Sequence, residues 1–276
     1  MPLPERYRPT LTEVSPFPMC LITFALDQHP EYSLVLVANR DEFYERPTEA
    51  AHFWPESPDI LAGRDLQQGG TWLGIRTDGR WAAVTNFRDL ERRQYPLSRG
   101  DLTRRFLNSD TPAAEFIQDL HPTMTRYGGF NLLLGDASGV HYCSNRTPHE
   151  ATLAPGVYGL SNHLLDTPWP KLVKAKVRLR RLLGDTPSPS DDELTALLAD
   201  STIYAPDDDG SLPHASVDPS LERALSAAFI NTPHYGTLCT TVLTVSRRGK
   251  VRFVEQSFGA DGQPGHRAVF EFPLRP

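Results

Sequence analysis

The sequence contains few cysteines, no excess of basic residues and no long apolar run. Its 276 residues include three cysteines, Cys20, Cys143 and Cys239, without Cys-x-x-Cys spacing. An odd number of widely spaced thiols argues against a disulfide framework or a structural zinc site and for a reducing compartment, which we take to be the cytoplasm. The formal net charge of −6 provides no basic field for a nucleic acid partner. No stretch approaches the roughly 18 consecutive apolar residues of a membrane span.

What remains is the composition of an ordinary globular protein. Hydrophobic residues make up 39% and charged residues 22% of the chain, which is enough to form a sizeable core. The first 18 residues are rich in proline and mixed charges and lack the apolar run of a signal peptide. We interpret 1–18 as a flexible leader or a start placed too early, with Met19 the true initiator, and 19–276 as one domain. A small molecule is the expected partner, and the oligomeric state is left open.

The first apolar segments predict a β-hairpin that brings a cysteine beside a polar quartet. The runs over 20–26 and 32–39 are short and partly β-branched, and a polar stretch with a proline separates them. A turn midway between them would place residue i opposite a residue near about 59 minus i. Cys20 would then lie beside the quartet Asn39-Arg40-Asp41-Glu42.

Strand-turn-strand patterns and amphipathic segments continue along the chain. Further hairpins are predicted with turns at 77–79, 137–139 and 247–250, and further strands over 157–162 and 266–274. Helices are predicted over 101–121 in two pieces, with Thr111 capping the second, over 169–184, from a capping box at Ser190 and Glu193, and over 221–230. Hairpins first, helices in the middle and strands last indicate an α+β fold with antiparallel sheet.

Two interpretations are open for Cys20 and its neighbours. A lone cysteine in an apolar strand is most often a small buried hydrophobe. Cys20 directly follows Met19, however, and removal of that methionine would leave an α-amino group with a pKa near 7.7 to 8.0, able to act as base for its own thiol. Arg40 would favour the thiolate, and Asp41 could orient the amine or the guanidinium. The structural alternative is that Arg40, Asp41 and Glu42 form an exposed salt-bridged turn.

Six ordered motifs run through nearly the whole chain, from Met19 to about Phe258. They are MCLITFAL (19–26), VANRDEFYERPT (37–48), LAGRDLQQGGTWLGI (61–75), AAVTNFRD (82–89), GFNLLLGD (129–136) and GLSNHLLDTPWPK (159–171). Together they resemble the NRDE family, which is the family of Transport and Golgi organization protein 2 and is named after the quartet at 39–42. On these motifs the chain is identified as a member of that family.

The resemblance implies a fold and a nucleophile. The fold would be that of the N-terminal-nucleophile hydrolases, a four-layer αββα sandwich with antiparallel sheets. In relatives such as the penicillin V acylase and bile salt hydrolase group, a cysteine behind the initiator methionine attacks an amide. By that resemblance Cys20 would be the nucleophile, Arg40 and Asp41 would lie beside it, and no cofactor would be needed.

The resemblance also implies roles for three asparagines. Asn86 resembles the asparagine that holds the oxyanion, a contact that is worth roughly 3 to 4 kcal/mol to catalysis; satisfying the backbone at a strand end is an equally open role. Asn39 and Asn162 would lie on the substrate side, although for Asn162 a structural role is preferred. His163 is interpreted as a partly exposed neighbour and not as a base.

Three features depart from the family pattern or invite another interpretation. With the leader present, Cys20 is not N-terminal, so the amine-as-base chemistry requires a later start or a cleaved segment. Leu238 stands where family members often have arginine, and Cys239 beside it is interpreted as core. Gly69 and Gly70 lack the Gly-Lys-Ser/Thr ending of a phosphate-binding loop, and a tight entry into the sheet is the preferred interpretation.

Two functions follow from these observations. The first is a cofactor-free cysteine amidohydrolase acting on a small N-acyl amide. The alternative is a non-catalytic carrier for an amphipathic haem or lipid-like ligand, because eukaryotic relatives are associated with haem and lipid handling and with the secretory pathway. Haem would need an axial ligand, and the candidate histidines are His29, His52, His163 and His234.

Overall fold

Two antiparallel β-sheets form the centre of the structure. The computed structural model describes residues 19–88, 94–204 and 223–275. In chain order the strands are β1 (Met19–Leu26), β2 (Tyr32–Phe43), β3 (Thr48–Trp54), β4 (Ser57–Asp65), β5 (Leu73–Arg76), β6 (Trp81–Asn86), β7 (Phe130–Asp136), β8 (Gly139–Ser144), β9 (Ala151–Thr152), β10 (Gly156–Leu160), β11 (Tyr235–Ser246), β12 (Lys250–Phe258) and β13 (Pro264–Pro273). The first sheet has the order β10-β1-β2-β11-β12-β13, and the second runs from β3 to β9 in sequence order.

Helices cover the outer face of each sheet. They are α1 (Arg99–Leu107), α2 (Ala113–Leu120), a 3-10 helix (His121–Arg126), α3 (Pro170–Asp185) and α4 (Asp191–Ala196). α3 and α4 contact the first sheet, whereas α1 and α2 contact the second. No helix within the described ranges has the length and apolar character that crossing a membrane requires.

Three apolar clusters separate these layers. One lies between α3 and the first sheet and contains Leu21 and Leu179. The second fills the space between the two sheets and contains Phe24 and Leu133. The third lies between the second sheet and the helices α1 and α2 and contains Phe106. The order helix, sheet, sheet, helix confirms the predicted α+β architecture of four αββα layers with antiparallel sheets.

The predicted hairpin at the start of the chain is confirmed, with one correction to its second strand. β1 and β2 pair antiparallel, and Cys20 lies opposite Arg40, within the quartet that was predicted beside it. β2 does not end at Asn39, because β11 pairs with it as far as Phe43 and so extends the strand through the whole quartet. The quartet therefore lies near the end of a central strand, and its first three residues are paired on both sides.

The other predicted elements are mostly confirmed. The hairpins β5–β6, β7–β8 and β11–β12 form, and Ser190 and Glu193 make both bonds of the capping box that begins α4. The cap predicted at Thr111 is wrong, because Pro112 occupies the N-cap of α2 and no side chain caps it. The helix predicted over 221–230 lies partly outside the described residues, and 227–230 are not helical.

The turn at Gly69 and Gly70 lets helix α1 approach the start of β5. Gly69 has a φ of 72°, which favours glycine. A Cβ on Gly70 would lie 2.4 Å from the backbone carbon of Gly100, in the first turn of α1. The Thr71 amide donates to the carbonyl of the same Gly100 at 3.2 Å. The structure thus agrees with a tight entry into a strand, since β5 and not a helix follows the two glycines.

This close approach makes Gly70→Ala a test of the packing between α1 and the second sheet. The added methyl group would meet backbone, which cannot rotate away, so we expect the substitution to lower the free energy of unfolding by roughly 2 to 4 kcal/mol. Gly184→Ala is the matched control, because nothing lies within 4 Å of a Cβ there and alanine favours the helix by up to about 1 kcal/mol. Urea denaturation measures both. Equal effects of the two substitutions would contradict the proposed clash.

Candidate active site at the start of strand β1

Cys20 lies at the beginning of β1 and faces the space between the two sheets. Its neighbours Met19 and Leu21 belong to the cluster under α3, and Ile22 belongs to the cluster between the sheets. Alternation along a strand therefore places the Cys20 side chain on the inter-sheet side. The thiol is free, and the residue is only partly exposed.

The Cys20 backbone is held by the segment that follows β10. Its amide donates to Oδ1 of Asn162 at 3.2 Å, and its carbonyl accepts from Oγ of Ser161 at 2.9 Å. Asn162 is fully buried, and its Nδ2 donates to the carbonyl of Asn86 at 2.9 Å. One asparagine side chain thus links the start of β1 to the end of β6. The structure brings Cys20, Asn86 and Asn162 together, while their catalytic and binding roles stay predictions.

The four residues of the quartet alternate between the two faces of β2. Arg40 and Glu42 face the second sheet, where Nη1 of Arg40 donates to Oγ1 of Thr48 at 3.1 Å. The Arg40 guanidinium also lies 4.4 Å from the centre of the Trp72 ring. All four residues are at least 94% buried, so the alternative of an exposed salt-bridged turn is wrong.

Asn39 faces the helical layer, and its side chain is fully engaged with the protein. Nδ2 donates to the carbonyls of Leu198 and Ala228 at 3.1 and 2.9 Å, and Oδ1 accepts from Oγ1 of Thr240 at 2.6 Å. Both amide hydrogens and the oxygen therefore have partners that fix two segments to the sheet. This geometry favours a structural role for Asn39, and the substrate-binding role stays a prediction without support from its contacts.

Asp41 has one carboxylate oxygen with a partner and one without. Oδ1 accepts from Oγ1 of Thr237 at 2.6 Å. Oδ2 is sealed from solvent and has no hydrogen-bond partner among the described residues. Burial raises the pKa of Asp41 to about 7, although Lys171, the Thr237 hydroxyl and Arg40 act to lower it. A buried carboxylate oxygen without a donor is costly unless a further group satisfies it.

Lys171 is the residue near the site that the sequence prediction missed. It lies in the first turn of α3, is 4% exposed, and donates through Nζ to the carbonyl of Leu225 at 2.8 Å. Burial lowers the pKa of Lys171 to about 8, and the nearby Asp41 opposes this shift. The sequence spacing could have predicted its burial, because Lys171 stands four residues before Ala175 and so lies on the same, buried face of the helix.

Met19 occupies the space behind Cys20. It is 2% exposed, and its amide donates to the Tyr235 hydroxyl at 2.6 Å, which in turn donates to the Asp41 carbonyl at 3.1 Å. A cavity beside it is lined by Met19, Arg88, Trp169, Pro170, Lys171, Leu225 and Ser226. Removal of Met19 would therefore open space next to Asp41 and Lys171.

The Cys20 thiol is not activated while Met19 precedes it. Burial, and after it the Asp41 carboxylate, raise the pKa of Cys20 to about 12, against the opposing effects of Arg40 and of a hydrogen bond from the Asp41 backbone. At neutral pH the thiol is thus protonated and a poor nucleophile. Arg40 alone does not overcome the burial of this sulfur.

Two further candidates lie on β11, and one of the candidate histidines lies away from Cys20. Cys239 is 5% exposed and contacts Glu255, which agrees with a core position. Leu238 is the extra residue of a bulge in β11, where the register shifts between Thr237 and Cys239. Of the four histidines considered for haem, His29 contacts Thr186 and Glu31 through its two ring nitrogens at the far end of the β1–β2 hairpin.

Comparison with known proteins gives matches over nearly the full length. The family model described as Transport and Golgi organisation 2 matches residues 19–260. The Transport and Golgi organization protein 2 homolog of Bos taurus is 36% identical over 93% of this chain and 100% of its own length. Transport and Golgi organization protein 2 of Drosophila melanogaster is 26% identical over 87% of this chain and 92% of its own.

A solved structure is also similar over most of the chain. A mutant of the conjugated bile acid hydrolase from Clostridium perfringens covers 92% of this chain and 97% of its own, with 9% identity and a TM-score of 0.45. The family model begins at Met19 and includes the quartet, the asparagines and Lys171. This protein belongs to the Transport and Golgi organisation 2 family.

Proposed function

We propose that this protein is a cysteine amidohydrolase of the N-terminal-nucleophile type, whose active form begins at Cys20 and whose substrate is a small N-acyl amide. The observation that carries the proposal is the buried Oδ2 of Asp41, which lacks a donor among the described residues. Asp41 pairs across the hairpin with Met19, the residue whose removal would convert the Cys20 amide into an ammonium group. A positive charge at that position would give Oδ2 the partner that it lacks.

The α-amino group would then serve as the base for the reaction. In its neutral form it accepts the thiol proton of Cys20; the ammonium group so formed pairs with Asp41, and the thiolate attacks the carbonyl carbon of the amide. The side-chain amide of Asn86 is proposed to hold the oxyanion, since Asn162 ties the Asn86 backbone to the nitrogen of Cys20. The C–N bond breaks as the leaving amine takes the proton, and water then hydrolyses the thioester, releasing a carboxylic acid and the free thiol.

Lys171 and Arg40 would favour the ionised forms of Asp41 and Cys20 that this step needs. Lys171 lowers the pKa of Asp41 and so keeps the carboxylate ionised for the ammonium group. Arg40 lowers the pKa of Cys20, and its stacking on Trp72 keeps the guanidinium in place. We further propose that the protein acts in the reducing cytoplasm, where its free cysteines remain thiols.

The proposal is tested by screening a chain produced from Cys20 against N-acyl amides, with Cys20→Ala measured in parallel. We expect turnover by the parent form, a loss of at least about 100-fold in Cys20→Ala, and an acyl adduct on Cys20 in intact-mass spectra. Cys143→Ala is the control, because Cys143 is buried under α2 on the outer face of the second sheet and should not affect turnover. Turnover that survives in Cys20→Ala would refute the proposal.

A further inference from the structure

Arg99 and Arg40 lie near Cys20, and Arg46 and Arg146 lie near Arg99. Burial lowers the pKa of Arg99, and among its charged neighbours the Cys20 thiolate and then Glu42 raise it, whereas Arg46 and Arg146 lower it. Arg99 is thus within electrostatic reach of the reacting sulfur and of two other guanidinium groups. Arg40, opposite Cys20 on β2, adds a fourth.

Asp65 and Glu42 form ion pairs with two of these arginines, Arg46 and Arg40. Asp65 accepts from Nε and Nη2 of Arg46 at 3.2 and 2.6 Å. Glu42 lies 3.5 Å from Arg46 and 3.9 Å from Arg40. Arg99 has no carboxylate within 4.0 Å in the part of the chain that the structure describes. Among the described residues, no carboxylate therefore neutralises the charge of Arg99.

The Arg99 side chain is held in place by its neighbours. Nη1 donates to the carbonyl of Gly129 at 3.2 Å. A Cβ on Gly128 would come within 2.9 Å of Nη1, so the absence of a side chain at Gly128 makes room for the guanidinium. The Gly129 carbonyl also accepts from the amide of Phe87 at 2.8 Å, and Phe87 directly follows Asn86. Arg99 and the residue that follows the proposed oxyanion residue are thus fixed to the same carbonyl.

The other edge of the guanidinium donates to no described residue. With Nη1 bonded to Gly129, the Nε and Nη2 hydrogens of Arg99 form a fork of two parallel donors. Such a fork matches the two oxygens of a carboxylate. Arg99 is also the first residue of α1, whose N-terminus carries a partial positive charge that favours an anion.

We propose that Arg99 binds a carboxylate on the non-reacting part of the substrate, so that the enzyme prefers acidic amides over neutral amides of the same shape. This inference rests on the proposed function and specifies its substrate class. The carboxylate would lie on either the acyl or the amine portion, at a distance from the scissile bond that lets Arg99 and Cys20 engage the same molecule.

The test compares matched substrates that differ only in charge. N-Hexanoylglycine and N-hexanoylglycinamide carry the variable group on the amine portion, and N-butylsuccinamic acid and its primary amide carry it on the acyl portion. In one pair we expect kcat/KM for the acid to exceed that for the neutral amide by roughly 10- to 100-fold, and Arg99→Gln to abolish this difference by lowering kcat/KM for the acid far more than for the neutral amide. Gly128→Ala should reduce the preference as well, because its methyl group displaces Nη1 of Arg99. Arg104→Gln, on the exposed side of the same helix, is the control.

Two further outcomes keep this inference distinct from the proposed function. If neutral and acidic amides turn over equally, or if Arg99→Gln slows both to the same extent, the hydrolase stands and the carboxylate site is refuted. If no amide turns over, binding of N-hexanoylglycine to the Cys20→Ala variant is measured by calorimetry with and without Arg99→Gln. Binding that depends on Arg99 then supports the anion site without the hydrolase, and binding that does not depend on Arg99 refutes the site.

Discussion

A chain that begins at Cys20 is expected to react with iodoacetamide, at about pH 7.5, roughly 1000 times faster than a chain that retains Met19. In the longer chain burial and the Asp41 carboxylate raise the pKa of Cys20 to about 12, so thiolate is present in only about one molecule in 30,000 at that pH. Loss of Met19 places an ammonium group next to the sulfur. This positive charge lowers the thiol pKa, and each unit is a tenfold gain in thiolate.

The other two thiols provide a low background for this measurement. Burial raises the pKa of Cys143 and of Cys239, and each is at most 5% exposed. Mass spectrometry of the labelled peptide assigns the reaction to Cys20, and the Cys20→Ser variant gives the residual rate. Equal labelling rates for the two chains would show that the N-terminal amine does not activate the sulfur.

Local patterns predicted the hairpin and the position of the quartet correctly. Alternating apolar residues and a short turn fix the pairing of β1 and β2, so the approach of Cys20 to Arg40 could be inferred from sequence alone. The length of β2 could not, because the quartet is polar and becomes strand only through its pairing with β11. That pairing joins segments nearly 200 residues apart.

The strands β3 and β4 were missed for a different reason. β3 contains few β-branched residues, and its buried positions do not alternate strictly because its pairing with β4 is interrupted by two irregularities. A period-two pattern is therefore weak in this segment. Only the neighbouring β5, whose turn to β6 is explicit in the sequence, gave a clear signal.

The charges around Cys20 could be predicted only where they are local. Arg40 and Asp41 were found because the hairpin turn is short. Lys171 and Arg99 come from helices at distant points in the chain, and their proximity to Cys20 depends on how the four layers pack. Sequence patterns place Lys171 on a predicted helix and Arg99 two residues before another, but they give no relation between either helix and the nucleophile.

In the longer chain, Asp41→Asn is expected to flatten the dependence of stability on pH between about pH 4 and pH 7. Burial raises the pKa of Asp41 to about 7 from an ordinary value of 3.8. The folded state therefore holds a proton on Asp41 that the unfolded state releases as the pH rises above 3.8. The contribution of Asp41 to the free energy of unfolding is therefore fully present below pH 3.8 and is lost as the pH rises through about 7.

The expected size of this effect follows from the same pKa difference. It corresponds to roughly 4 kcal/mol of unfolding free energy between acid and neutral pH. Urea denaturation at several pH values, with wild type and Asp41→Asn in the same buffers, isolates the contribution by subtraction. The variant should gain stability relative to wild type as the pH rises, because asparagine keeps the bond to Thr237 and carries no buried charge.

The chain that begins at Cys20 should respond in the opposite direction. There the ammonium group of Cys20 lies next to Asp41 and lowers the pKa of its carboxyl, so ionised Asp41 becomes stabilising at neutral pH. Asp41→Asn should then lower stability at pH 7, since the buried ammonium of Lys171 and that of Cys20 lose their counter-ion. If Asp41→Asn changes stability identically in the two chains, the Asp41 carboxylate does not pair with the N-terminal amine. The amine-as-base mechanism would then lose its structural support.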